Sequence, residues 1–124
     1  MNRTEINKLG EFGIINKIDS KFNRKRKSTV IGIGDDAAAV SSDKDLVLLS
    51  SDMLVEGVHF DLSYTPLKHL GYKSVIVNLS DIYSMNSYPK QIILNIALSI
   101  SFLLKLLMNF MKVLNMHVMN IILI

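Results

Sequence analysis

Apolar residues change their spacing twice between Thr29 and Ser99, and this change is the feature that most limits the fold. From Thr29 the chain holds short runs of β-branched and aliphatic residues, which are typical of strands. From Thr65 to about Ser84 the apolar residues recur every three or four positions, which predicts a helix begun by a Thr-Pro pair. From Pro89 an apolar alternation returns and predicts another strand, with both faces mostly buried. The sequence therefore predicts a fold that contains both strands and helices.

The first strand region is predicted to fold back on itself as a hairpin. The segments TVIGIG and DLVLLSSD flank SSDKD, whose serine and aspartate side chains can bond to their own backbone. If the turn is centred between Asp43 and Lys44, residues equidistant from it face each other. Asp36 then lies opposite Ser51, and cross-strand neighbours have Cβ atoms about 5 Å apart. We therefore expect Asp36 to meet the Ser50–Asp52 segment at one end of the hairpin.

The N-terminal segments carry weaker patterns. Apolar residues between Thr4 and Ile18 predict a short helix or two helical turns, with Thr4 as a cap and two glycines weakening the pattern. The basic stretch from Lys21 to Lys27 has no periodic apolar face, so we interpret it as a solvated loop rather than as a phosphate or nucleic-acid site.

Bulk composition excludes several classes of function. The chain has 124 residues, enough for one domain, and a formal charge of +3, too small to indicate nucleic-acid binding without a basic patch. It has no cysteine, which rules out disulfides and thiolate metal sites and suits a reducing cytoplasm. Its first residues are charged and lack the apolar run of a signal peptide. We therefore expect a cytoplasmic protein.

The last 25 residues differ in composition from the rest. They are rich in Met, Leu, Ile and Asn, and they lack acids, glycine and proline. Lysines and asparagines interrupt them too often for a clean membrane span, and the apolar positions cover every face of a helix rather than one stripe. We interpret residues 100–124 as an aberrant tail rather than a domain, produced by a frameshift or gene disruption. Reading the DNA in the other frames past codon 100 tests this hypothesis.

The positions of three carboxylates in the sequence predict that they belong to one site. Asp36 follows a glycine-rich strand end, Asp52 follows Ser50 and Ser51, and Asp81 lies on the predicted helix. Clustered carboxylate and hydroxyl oxygens are the hard ligands that Mg²⁺ takes while it keeps waters and bridges phosphates. Any one of these acids alone is more simply a solvated turn residue. The predicted hairpin register, which brings two of them together, favours the metal site.

The sequence contains little evidence for other types of site. No two histidines have a zinc-ligand spacing, and no Ser-His-Asp arrangement is evident. The glycines of GIG form neither a dinucleotide fingerprint nor a Walker loop. His59, in a loop shortly after Asp52, is a candidate ligand-contacting residue, although a lone histidine is more often structural or exposed.

The order of the motifs resembles a known family. GEFGII, GIGDDAAAV, SSDMLVEGVHF and HLGYKSVIVNLSDIYSMNSYPK together are similar to the N-terminal domain of thiamine-monophosphate kinase, over about residues 4–99. The wider superfamily includes aminoimidazole ribonucleotide synthetase and selenophosphate synthetase. The resemblance implies an α+β fold, in which a mixed or antiparallel sheet has helices packed on one face. It also implies a kinase N-terminal domain over residues 1–99.

The resemblance implies an activity and a set of site residues. The activity is ATP-dependent phosphorylation of thiamine monophosphate to thiamine diphosphate, with Mg²⁺ and ATP bound and with homodimers formed through the N-terminal sheet. The matched positions are Asp36, Ser50, Ser51, Asp52 and Asp81 for magnesium, Asp35 for the nucleotide, and His59 for the substrate. Ser51 replaces the family's usual threonine and keeps the hydroxyl. Because the family's remaining metal ligand lies beyond the similar region, we expect little or no kinase activity from these 124 residues alone.

Three alternatives remain open at the level of sequence. The chain could be another ATP-using member of the superfamily, which the identity of the phosphorylated substrate would reveal. It could be a non-catalytic magnesium- or nucleotide-binding module, which would bind ATP without turnover. It could instead associate with membranes through its apolar tail, in which case cutting at Ser99 would abolish binding to liposomes.

Overall fold

A computed structural model of the protein describes residues 5–22, 26–99 and 103–122. The chain forms two compact units, Met1–Leu49 and Ser50–Ile124. Both contain strands and helices, so the α+β prediction is confirmed.

The first unit begins with helical structure and continues into a sheet. A 3-10 turn, Ile6–Lys8, precedes helix α1, Gly10–Asp19, so the predicted short helix is confirmed. Its predicted cap, Thr4, lies outside the described residues, as do residues 23–25 of the basic segment. The sheet is antiparallel, in the order β1-β2-β3, and its strands are β1, Thr29–Ile31; β2, Ala38–Ser42; and β3, Asp45–Leu49.

The predicted hairpin register is confirmed between β2 and β3. Ala38 faces Leu49 and Ser42 faces Asp45 across a two-residue turn, in which Asp43 has a φ of 49°. Aspartate tolerates this left-handed conformation better than most residues. The predicted first arm of the hairpin, TVIGIG, is wrong: the arm that pairs with β3 is β2, and because the chain reverses after Ile31, Thr29–Ile31 form a third strand on the other side of β2.

The second unit combines a parallel strand pair with two helices. Strand β4, Met53–Val55, pairs in parallel with β5, Asn95–Ala97. Helix α2, Leu67–Ser84, lies between them in sequence, and helix α3, Leu104–Ile122, follows β5. The buried core of this unit contains Leu54, Phe60, Leu70, Val75, Leu79, Phe110 and Leu114.

Helix α2 confirms the predicted span and differs in its first turn. The cap is Pro66, whose carbonyl accepts the N–H groups of His69 and Leu70, and no side chain among the described residues caps the helix. Thr65 precedes the cap, and its own N–H donates to the carbonyl of Asp61 at 2.8 Å. The predicted start at the Thr-Pro pair is therefore displaced by one residue, because Pro66 is the cap and Leu67 is the first helical residue.

Strand β5 is shorter and more exposed than its sequence predicts. Only three residues pair with β4, and the chain around them is half-buried rather than buried on both faces. Ile93 is 55% exposed. Within the described part of this unit β5 has a partner on one side only, which leaves part of its apolar surface uncovered.

Helix α3 packs against α2 through one apolar stripe. Phe110 is 1% exposed and Leu114 is 7% exposed, and Leu107, Val118 and Ile121 pack beside them. Gly71 of α2 allows a close approach, because a Cβ atom there would lie 2.7 Å from Val113 Cγ1. The structure thus selects one face of a segment whose sequence shows no single stripe.

Apolar residues outside this stripe remain exposed. They are Leu104, Leu106, Met108, Met111, Met116 and Met119. No helix among the described residues is both long and apolar enough to cross a membrane.

Candidate functional site

The site lies where the Ser50–Asp52 segment meets helix α2 in the second unit. The hydroxyl of Ser50 donates a hydrogen bond to Asp81 Oδ2, across 31 residues of sequence. Asp52 is half-buried near the Asp81 carboxylate. Two carboxylates and one hydroxyl therefore converge, as the motif spacing predicts for this part of the site.

The charge environment of Asp52 reflects this convergence. Partial burial raises the pKa of the Asp52 carboxyl, and the nearby Asp81 carboxylate raises it further. A like charge close by favours the protonated form, and a bound cation would reverse that preference. The pair therefore forms an electronegative site suited to a cation.

His59 is fixed by a tight turn that joins β4 to the following loop. Gly57 has a φ of 80°, a conformation that favours glycine, and its N–H donates to the Phe60 carbonyl at 2.8 Å. The N–H of Val55 donates to His59 Nδ1 at 2.9 Å. Because Nδ1 is an acceptor, the neutral ring carries its proton on Nε2 and can present a donor there. Lys73 of α2 donates to the His59 carbonyl at 2.6 Å.

The other predicted residues are placed as follows. Ser51 is exposed beside Asp52. Asp35 and Asp36 are exposed in the loop between β1 and β2, where the N–H of Asp36 donates to Asp35 Oδ1 at 2.9 Å. These two aspartates belong to the first unit, so their approach to the Ser50–Asp52 segment stays a prediction. Within the described residues, no three His, Cys, Asp or Glu side chains are grouped closely enough to hold a metal ion by themselves.

The structure reveals contacts that motif reasoning does not assign. Asn78 Oδ1 accepts the Asp52 N–H at 3.2 Å, and Asn95 Nδ2 donates to the Asp52 carbonyl at 3.3 Å. The contact of Asn78 could have been predicted from its spacing, because Asn78 and Asp81 are three residues apart on the helix and therefore lie on one face. No sequence signal points to Asn95, which lies 43 residues from Asp52.

An open groove lies at the carboxyl ends of β4 and β5. Its volume is about 440 Å³, and Glu56, Gly57, Asp61 and Ser99 are among its lining residues. Glu56 Oε2 accepts the Ser99 N–H at 2.7 Å, which ties the ends of the two strands together. Ser63 donates through its backbone N–H to Asp61 at 2.8 Å, and hydrogen bonds from Ser63 lower the pKa of Asp61.

Comparison with known proteins identifies relatives along most of the chain. A thiamine-monophosphate kinase from Buchnera aphidicola subsp. Schizaphis graminum is 42% identical over 116 residues, which is 90% of this chain and 36% of that protein. The protein of that name from Aquifex aeolicus is 38% identical over 93 residues, covering 75% of this chain and 28% of the relative. The one from Bacillus subtilis is 36% identical over 90 residues, with coverages of 72% and 27%.

The chain spans about a third of the length of the relatives that it matches over the longest stretch. No solved structure shows a significant match. Residues 34–122 match the family of the AIR synthase related protein, N-terminal domain, including most of the segment after Ile100. The match covers strands β2 to β5 and helices α2 and α3, and the chain therefore belongs to this family.

Proposed function

We propose that this chain carries the Mg²⁺- and ATP-binding part of a thiamine-monophosphate kinase. The observation that carries the proposal is the convergence of Ser50, Asp52 and Asp81 in one electronegative site. The relatives are named as kinases of thiamine monophosphate, and we propose that the reaction here is transfer of the ATP γ-phosphoryl group to that substrate. Phosphoryl transfer needs positioning and charge neutralisation more than covalent help from the protein.

The residues present fit a magnesium ion. Mg²⁺ is usually held by one or two carboxylates and keeps several waters. Asp52 and Asp81 with a serine hydroxyl therefore supply as many ligands as the ion usually takes from a protein. Bound there, the ion would neutralise phosphate charge. We further propose that Ser51 joins this ligand set, that Asp36 is a magnesium ligand and that Asp35 lies at the nucleotide. Their hydroxyl and carboxylate oxygens are the matching ligand types.

His59 is the proposed substrate contact. Its Nδ1 is occupied by the Val55 N–H, so its Nε2–H is the group left to donate to an anionic oxygen. The phosphate of thiamine monophosphate offers such an acceptor. The contact from Lys73 to the His59 carbonyl adds a positive charge near the same turn, which favours an anionic ligand there.

The proposed cellular setting is a cytoplasmic homodimer. Strand β3 is an edge of the three-stranded sheet, and Leu46, Val47 and Leu49 on it are 59%, 43% and 52% exposed. An exposed apolar edge strand favours pairing with another strand. A second copy of the same sheet would cover it.

Calorimetric titration of the chain with ATP, with and without Mg²⁺, tests the proposed function. We expect Mg²⁺-dependent binding that the double substitution Asp52→Asn and Asp81→Asn abolishes. Failure to bind ATP in the presence of Mg²⁺ would overturn the proposal.

A second assay follows ATP-dependent formation of thiamine diphosphate by the purified chain. We expect little or no product from these 124 residues alone. Strong turnover would contradict that expectation while supporting the substrate. Binding of ATP with phosphorylation of a different substrate would indicate another ATP-using member of the superfamily.

A further inference from the structure

The backbone of Asp52 is held on both sides by asparagine side chains. Asn78 Oδ1 accepts its N–H, and Asn95 Nδ2 donates to its carbonyl. Asn78 lies on helix α2, whereas Asn95 begins strand β5. The residue is therefore tied to two separate elements of the second unit, although it lies in no strand or helix itself.

Asn78 is oriented for this contact by its surroundings. The residue is 4% exposed, and its Nδ2 donates to the Ser74 carbonyl at 2.8 Å. With the amide nitrogen engaged along the helix, the amide oxygen points to the Asp52 N–H. A buried amide in the middle of a helix is costly unless both of its ends are hydrogen-bonded, and asparagine is a weak helix former. Packing alone would be served better by leucine.

One face of α2 contacts the Ser50–Asp52 segment at both of its ends. Asn78 contacts Asp52, and Asp81, one helical turn later, accepts the hydrogen bond from Ser50. Because both contacts come from the same rigid helix, the spacing between the Asp52 backbone and the Asp81 carboxylate is set by α2. Asn95 adds a second restraint, at the Asp52 carbonyl.

We infer that Asn78 and Asn95 are positioning residues that hold the Asp52 carboxylate in place for a divalent cation shared with Asp81. The inference rests on the proposed magnesium site. Outer residues that orient metal ligands typically change metal affinity by about 10- to 100-fold when they are removed. We expect losses in that range for Asn78→Ala and for Asn95→Ala. The double variant should lose little more metal affinity than the single variant that binds the metal less tightly, because each substitution already frees Asp52.

Titration with Mn²⁺, followed by paramagnetic broadening of backbone amide NMR signals, tests the inference on the full chain. In the unsubstituted protein, broadening should concentrate at Ser50–Asp52 and around Asp81. In Asn78→Ala and Asn95→Ala the same broadening should need about 10- to 100-fold more Mn²⁺. Asn95→Gln keeps the amide donor and should restore part of the affinity.

Val75→Ala is the matched control, since Val75 is buried on the same helix and its aliphatic side chain makes neither of the two hydrogen bonds to the Asp52 backbone. It should lower stability and leave the Mn²⁺ titration unchanged at temperatures where the variant is folded. Hydrogen exchange of the Asp52 amide gives a second readout, and it should speed up in Asn78→Ala but not in Val75→Ala.

The outcomes separate the two proposals. Absence of localised Mn²⁺ broadening in the unsubstituted chain would overturn the magnesium site itself, and the inference with it. Normal Mn²⁺ binding that persists in folded Asn78→Ala and Asn95→Ala would overturn this inference alone. If Asn78→Ala does not fold, Asn95→Ala decides the question, because Asn95 is only half-buried at the end of a strand.

Discussion

The side chain of Ser50 donates a hydrogen bond to the carboxylate of Asp81, joining the segment before β4 to the last turns of helix α2. A hydrogen bond to a charged acceptor is among the stronger interactions that a serine can make. It holds the start of the Ser50–Asp52 segment against the helix. Asp52 is thereby kept close to a second carboxylate, although like charges repel.

Ser50→Ala should therefore weaken both stability and cation binding. We expect a loss of about 1–2 kcal/mol in the free energy of unfolding, because a partly buried carboxylate loses a donor. Ser51→Ala is the control, since Ser51 is exposed and should change stability by less than about 0.5 kcal/mol. Under the proposed function both variants weaken Mn²⁺ binding. Urea denaturation of the metal-free proteins measures the difference, and equal stabilities would contradict the role given to Ser50.

Removing the charge of Asp52 should stabilise the metal-free protein near neutral pH. Its pKa is raised in the folded state above 3.8, so folding favours the protonated form. The free energy of unfolding therefore falls as the pH rises through the folded pKa, and the protein is relatively more stable below 3.8. Asp52→Asn should gain less than about 1 kcal/mol at pH 7, as expected for a partly exposed charge, and nothing at low pH.

Asp61→Asn provides a control of opposite sign. Hydrogen bonds from Ser63 lower the pKa of Asp61, so its charged form supports the fold above pH 3.8 and that support is lost as the pH falls through the folded value. This variant should be less stable than the parent at neutral pH and equal to it in acid. Thermal melts in EDTA across the pH range measure both variants, and the same sign for the two would contradict the assignment.

Elements that depend on a local pattern of residues could be predicted from the sequence. The register of β2 against β3 followed from the position of the Asp43–Lys44 turn, and the extent of α2 followed from its apolar spacing. The proximity of Ser50, Asp52 and Asp81 was also predicted, from motifs whose types agree with oxygen ligation. These features are encoded within short stretches, or within stretches that a turn brings together.

Features that depend on distant parts of the chain could not be predicted. The parallel pairing of β4 with β5 joins segments about 40 residues apart, and nothing in either three-residue strand specifies its partner. The contact of Asn95 with Asp52 is a consequence of that pairing. The choice of one stripe on α3 depends on the shape of α2 around Gly71, which the composition of the tail does not reveal. That a frameshift or gene disruption produced residues 100–124 stays a prediction, which the DNA sequence past codon 100 tests.

The exposed strand β3 should govern self-association. Val47→Lys places a charge on the exposed edge and should shift a dimer toward monomer, since charged residues on edge strands oppose strand pairing. Ser42→Lys adds the same charge at an exposed polar position of β2 and should have little effect. Sedimentation velocity over a range of concentrations measures the shift. A monomeric parent protein, or equal association of both variants, would argue against pairing through β3.

The close approach of α2 and α3 should make Gly71 intolerant of a side chain. A Cβ atom at this position would lie 2.7 Å from Val113 Cγ1 and 3.3 Å from the Leu114 backbone nitrogen. Gly71→Ala should therefore cost about 1–3 kcal/mol, as expected for overpacking in a core. Val113→Ala in the same chain removes the nearest atom and should recover only part of the loss, because the backbone contacts persist. Gly13→Ala is the control on α1, where the nearest atom is 3.4 Å away and alanine should raise stability by up to about 1 kcal/mol. Chemical denaturation of the three variants and the parent protein tests the packing, and full tolerance of Gly71→Ala would mean that α3 does not pack on α2 in solution as closely as the structure shows.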